Sequence, residues 1–179
     1  DPVAKTLVHD LDRLHLDLSS IAKGYALDLA AERLRELGLR DFLLEIGGEF
    51  LAQGCKPDAH PWWVELASPP HLSHLPRLRL GLTRHALATS GIGEWASEDA
   101  AKTGIHHLLH PDERAPTRHG WTSVTVLAET CMMADAYATA LYVMGAEKGI
   151  EFADRSSIAA VFAGTEGYVF SREFEKFKD

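Results

Sequence analysis

Helical periodicity is confined to two parts of this chain, one towards each end, and most of what lies between them is written in short apolar runs that alternate with polar residues or stop at glycine. From Ile21 to Leu37 apolar residues recur at helical spacing. Ala22, Tyr25, Ala26, Leu29, Ala30, Leu34 and Leu37 form one stripe, and Asp28, Glu32, Arg35 and Glu36 supply a wet face. Ser19 and Ser20 precede this helix as caps, and Gly38 stops it. The second helical stretch runs from Cys131 to Met144, ends at Gly145, and is followed by another helical piece from Glu147 to Asp154.

The remaining segments have strand length and strand patterning. Leu14 to Leu18 alternates apolar and polar residues ahead of the first helix. Phe42 to Ile46 and Phe50 to Ala52 flank Gly47-Gly48, which reads as two strands joined by a tight bend. Trp62 to Ala67 is a strand candidate inside a proline- and histidine-rich loop region between Gly54 and Pro76. Leu78 to Leu82, His85 to Thr89, His106 to Leu109 and the β-branched run Thr122 to Ala128 follow, and Ser90, Gly91 and Gly93 make a loop. Ile158 to Ala163 and Tyr168 to Phe170 close the chain as a hairpin. The predicted class is α+β: one domain over residues 1–179, with a mostly antiparallel sheet and helices on one face.

Charge and composition narrow the function classes. A formal net charge of -8 argues against a nucleic-acid surface, which needs clustered Lys and Arg. No stretch has the roughly 20 apolar residues of a membrane-spanning helix, and the first residues carry no signal-peptide pattern. Cys55 and Cys131 form neither a CxxC motif nor a disulfide framework, which leaves the compartment open.

Four segments bear chemistry. Asp17-Leu-Ser-Ser-Ile-Ala-Lys-Gly-Tyr places a carboxylate, two hydroxyls and Lys23 around a helix start, where unpaired amides attract anions; taken alone, a capped helix with a surface lysine is the plainer reading. In Ala134-Asp-Ala-Tyr-Ala-Thr-Ala, Asp135 and Thr139 share one face of an alanine-rich helix. A carboxylate buried there must be paired or bound to a cation, and oxygen donors suit Mg²⁺ or Ca²⁺; the alternative is an Asp serving the helix dipole. Ala88-Thr-Ser-Gly-Ile-Gly has the small residues and hydroxyls of a phosphate-cradling loop, or of an ordinary turn. Ile105-His-His-Leu-Leu-His-Pro holds three histidines without the cysteines or HExxH of common zinc sites, so one His acting as acid, base or contact is the better reading.

In order along the chain, Leu16-Asp-Leu-Ser-Ser-Ile-Ala-Lys-Gly-Tyr-Ala-Leu-Asp, Glu45-Ile-Gly-Gly-Glu, Ala88-Thr-Ser-Gly, His106-His-Leu-Leu-His-Pro and Ala134-Asp-Ala-Tyr-Ala-Thr-Ala resemble the ApbE family of FAD:protein FMN transferases. The resemblance runs from about residue 14 to residue 170, which would be the carboxy-terminal portion of the family's length. It implies transfer of FMN from FAD to a Thr or Ser hydroxyl of a target protein, with Mg²⁺ as cofactor and AMP released. It also implies that an amino-terminal region or a partner chain completes the FAD pocket. Side chains of Asp135 and Thr139, with carbonyls of Ser20 and Ala138, would hold the Mg²⁺. Asp17, Lys23, Gly47, Gly48, Thr89, Ser90, Gly91 and Leu109 would contact FAD, and His107 and Asp135 would be catalytic. Where the family has Asp-Pro, this chain has His110-Pro111. A relative that binds or hydrolyses FAD without a protein target, and a noncatalytic interaction module, are the alternatives. By resemblance the compartment is the bacterial envelope or periplasm, with the cytoplasm as alternative.

Overall fold

The computed structural model describes residues 3–10, 12–13, 16–66, 72–92, 106–113 and 115–178. Six strands form one sheet in the order β1-β2-β5-β8-β9-β10, and every neighbouring pair is antiparallel. They are β1 (Phe42–Ile46), β2 (Glu49–Gln53), β5 (Ala86–Gly91), β8 (Trp121–Ala128), β9 (Ala159–Gly164) and β10 (Gly167–Phe170). A ribbon of β3 (Trp62–Glu65) and β4 (Arg79–Leu82) and a short pair, β6 (Leu109–His110) with β7 (Ala115–Pro116), complete the strands. Two long helices, α1 (Ser19–Glu36) and α2 (Cys131–Arg155), accompany a closing 3-10 turn (Phe174–Phe177).

The pleat sorts the core into layers, because successive side chains of a strand point to opposite faces. Ala86 and Ala88 of β5 face the helices: Ala88 packs with Val124, Val126, Ala134, Ala138 and Leu141, and Ala86 with Leu27, Ala31, Phe42, Leu51 and Cys131. Leu87, Leu127, Ala159 and Val161 face the other way, onto Val64, Leu80 and Leu82 of the ribbon and onto Phe174. Both long helices therefore cover one face, and the ribbon covers the other. The α+β expectation is met.

Several boundaries follow the sequence reading closely, and four features differ. Gly145 breaks α2 with φ 74 and ψ 168 where the pattern placed a helix end, so the two predicted helical pieces form one kinked element. Residues 16–18 join no strand ladder, and residues 14 and 15 of that predicted strand lie outside the described ones, as do Ala67 and Gly93. Ser90 and Gly91 belong to β5 rather than a loop, paired with Val124 and Ser123.

The fourth difference is the burial of α1. Its inward face is Gly24, Leu27 and Ala31, while Tyr25 and Leu29 of the predicted stripe are 51% and 47% exposed and Asp28 lies in the wet face only by pattern. The reason is a close helix crossing. A Cβ on Gly24 would lie 2.3 Å from the Cys131 carbonyl oxygen, so the smallest residue of α1, not the largest, meets α2.

Candidate functional site

The crossing of α1 over the first turns of α2 brings the first and last motifs together. Asp28 lays its carboxylate across the start of α2: Cys131 N–H donates to Oδ1 at 2.8 Å and Met132 N–H to Oδ2 at 2.9 Å. An acidic group there also complements the helix dipole. One turn further into α2, Asp135 is 3% exposed, and its Oδ2 accepts the Gly24 N–H at 3.1 Å. In a helix Gly24 N–H is also the i+4 donor for the Ser20 carbonyl, so Ser20 O and Asp135 Oδ2 surround the same amide. Burial pushes the Asp135 carboxyl above its usual range, opposed by the Gly24 amide and the Lys23 charge.

Thr139 follows Asp135 by one turn and shares a hydroxyl hydrogen bond of 2.8 Å with Ser90 on β5. The β5 strand is thereby tied to the helix face that carries Asp135, with fully buried Ala138 in the core beside it. Thr89 is not part of this group. It bonds Thr125 at 2.8 Å, and the pleat turns it to the ribbon side of the sheet. Gly91 is required by packing, since a Cβ there would meet the Thr122 carbonyl oxygen at 2.2 Å, beside the irregularity between Trp121 and Ser123.

Lys23 reaches from α1 to the start of β2, where its Nζ lies 2.8 Å from Glu49 Oε1. Gly47 and Gly48 form the two-residue β1–β2 turn with φ +59 and +94, both in the left-handed region, and Gly48 N–H donates to Glu45 Oε1 at 2.8 Å. Gly47 stands against both charged groups: its Cβ would be 3.5 Å from Lys23 Cδ and 3.8 Å from Glu49 Oε2. Asp17 is exposed and faces its own helix, accepting from the Ser19 N–H and hydroxyl at 2.8 and 2.6 Å; these bonds hold its carboxyl below the usual range. The N-cap position of α1 is Leu18, with no side-chain cap, rather than one of the predicted serines.

The histidine segment divides its roles. His106 donates from Nε2 to the Thr117 carbonyl at 2.9 Å, accepts the Leu108 N–H on Nδ1, and sets its edge against Tyr142 of α2. His107 is exposed, and Leu109 is 54% exposed on β6. His106 thus anchors the segment while His107 presents its ring outward.

A family model described as the ApbE family matches residues 2–162. The chain belongs to the ApbE family. The FAD:protein FMN transferase of Haemophilus influenzae is 35% identical over 155 residues, covering 86% of this chain and 44% of that protein. That of Escherichia coli is 31% identical over 175 residues, covering 96% of this chain and 50% of the other. Among solved structures, the apo flavinyl transferase ApbE of Pseudomonas stutzeri superposes with a TM-score of 0.78 at 35% identity, covering 90% of this chain and 50% of that one. The ApbE protein of Thermotoga maritima gives 0.75 at 30% identity, with 92% and 53% covered. The chain thus spans about half the length of these relatives.

Four of the ApbE motifs meet, through Gly24–Asp135, Lys23–Glu49 and Ser90–Thr139, and three residues inside them escaped the sequence reading. Gly24, within the first motif, seats one helix on the other; its signal was a glycine in a helix interior, a costly choice that needs a packing reason. Asp28, at the end of that motif, caps α2 across the chain, which no local pattern announces. Glu49, 1% exposed, was legible as an acidic residue opening the apolar strand Phe50-Leu51-Ala52. Among the described residues no three His, Cys, Asp or Glu side chains form a metal cluster. The oxygen set of Asp135, Thr139 and the Ser20 carbonyl still fits Mg²⁺, which takes few protein ligands and keeps waters and substrate phosphates in its shell.

Proposed function

We propose that this chain carries the metal-holding half of an enzyme that transfers FMN from FAD to a Thr or Ser hydroxyl of a target protein, with Mg²⁺ as cofactor and AMP released. The observation that carries the reading is Asp135: a buried carboxylate with a single donor among the described residues, one turn from the Thr139 hydroxyl and beside the start of α1 with its Lys23. Burying such a group costs several kcal/mol unless a cation or further donors meet it. Side chains of Asp135 and Thr139 and the Ser20 and Ala138 carbonyls would hold Mg²⁺, whose charge would stabilise the negative charge that builds on the departing AMP.

The chain's own groups account for the rest of the chemistry. Lys23 and the start of α1 attract the diphosphate of FAD, and the side-chain-free Gly47 and Gly48 allow close backbone approach to the cofactor. Ser90 and Gly91 hold the β5 end of the site, and Leu109 offers an apolar contact. The target's hydroxyl oxygen forms the new bond to the FMN phosphorus, and the phosphorus–oxygen bond to AMP breaks. His107, facing outward, takes the hydroxyl proton, with Asp135 as the other candidate base. The acceptor side chain must lie in line with the scissile bond, so a segment of the target protein docks at this face. The bacterial envelope or periplasm is the expected compartment.

Calorimetric titration of FAD into the chain, with and without Mg²⁺, is the first test, followed by assay of AMP release and of flavin fluorescence on a candidate target. Mg²⁺-dependent binding with fluorescent target is the expected result. AMP and FMN without labelled target would replace the transferase by an FAD hydrolase, and no Mg²⁺-dependent binding would overturn the reading for this chain.

A further inference from the structure

Glu49 has no part in the chemistry above, yet its placement is costly. It opens β2 on the helix-facing side with Leu51, is 1% exposed, and spends Oε1 on Lys23, while Oε2 has no hydrogen-bond partner among the described residues. An apolar side chain of similar size would join Leu27, Phe42 and Leu51 without that penalty. Something other than packing keeps a carboxylate here.

Its geometry says what that is. Lys23 has two acids in its neighbourhood: Glu49 Oε1 touches its ammonium at 2.8 Å, and Asp135 Oδ2 accepts the amide of the next residue, Gly24, at 3.1 Å. A lysine stem has four flexible carbons and no preferred direction of its own. Glu49 and the bare Gly47 backbone, 3.5 Å from the Lys23 Cδ by way of an added Cβ, define where it goes. An ammonium has three donors, and the Lys23 side chain is 46% exposed, so donors remain for a ligand at the start of α1.

We infer that Glu49 is a positioning residue that holds the Lys23 ammonium against the Gly47 wall and off Asp135, leaving the lysine to meet the FAD diphosphate and Asp135 to meet the metal. This rests on the transferase reading of the same site. Without Glu49, Lys23 turns towards Asp135, which is bound to the neighbouring Gly24 amide, and competes with the cation there.

The test is calorimetric titration of the whole chain with Mg²⁺ alone, and with FAD at saturating Mg²⁺, for wild type, Glu49→Gln, Lys23→Met and the double variant. Glu49→Gln is expected to weaken both ligands by about tenfold, the size typical of losing an outer-shell partner. In the Lys23→Met background the same change should leave FAD affinity unaltered, and the double variant should regain Mg²⁺ affinity relative to Glu49→Gln. A purely structural Glu49 would give equal losses in both backgrounds and no regain, and that outcome overturns the inference while the transferase reading stands. Wild type that binds no FAD with Mg²⁺ overturns the reading and the inference together. Should Glu49→Gln not fold, Glu49→Asp gives the same comparison, since it withdraws the charge from Lys23 by one methylene.

Discussion

Two carboxylates at the start of the same helix, Asp28 across the tip of α2 and Asp135 one turn inside it, are satisfied to very different degrees. Asp28 has an amide on each oxygen, at 2.8 and 2.9 Å, and completes a helix cap. Asp135 is buried with one amide at 3.1 Å, and burial raises its carboxyl. A folding role looks like the first: short bonds, both oxygens used. A ligand-binding role looks like the second, where among the described residues one amide alone meets the carboxylate.

The largest expected separation of the two comes from Asp135→Ala. FMN transfer should fall by more than about 100-fold, beyond the loss of an outer-shell partner, with the melting temperature nearly unchanged. A variant with wild-type turnover would make Asp135 structural. Asp28→Ala should do the reverse, losing about 2 kcal/mol in denaturant unfolding for its charge-assisted bonds while folded molecules keep their affinity for Mg²⁺. Full stability in that variant would mean the cap is dispensable.

The pH dependence of apo stability sharpens the contrast. The Asp135 carboxyl is raised above its ordinary 3.8, so its contribution is favourable below that value and is lost as pH rises through the raised one. Asp135→Asn should therefore stabilise the apo chain at neutral pH, with the gain vanishing as the pH drops below the ordinary carboxylate range. Urea titrations across roughly pH 3 to 7, which brackets ordinary carboxylate titration, would show it. A gain that persists at the acid end would contradict the assignment. The smallest effect is expected from Thr130→Ala. Its hydroxyl accepts the Met133 N–H at 3.4 Å, so removal should cost about 0.5 kcal/mol, read from the unfolding midpoint.

Local patterns revealed the parts of this molecule that local physics decides. The Gly47-Gly48 turn demands positive φ at both positions, and the Gly145 break interrupts an otherwise apolar helix, so both were visible as glycines in place. Asp135 and Thr139 were visible because a helix repeats every 3.6 residues. Side-chain size misled the reading of α1: Tyr25 and Leu29 look like core, but the face is chosen by the Gly24 contact with Cys131, far along the chain. The same distance hides Asp28, whose partners are amides of another helix, and Thr89, whose side of the sheet depends on strand pairing. Burial of Glu49 was likewise decided by α1 closing over β2.

The Gly24–Asp135 hydrogen bond joins residues 111 positions apart in sequence. Closing a loop of that span costs entropy before any contact returns it, and chains rich in such pairings cross their folding barrier slowly. The sheet strands between the two helices must find their antiparallel neighbours first or at the same time. A chain interrupted between α1 and α2 would keep Gly24 and Asp135 yet lose the tether that brings them together.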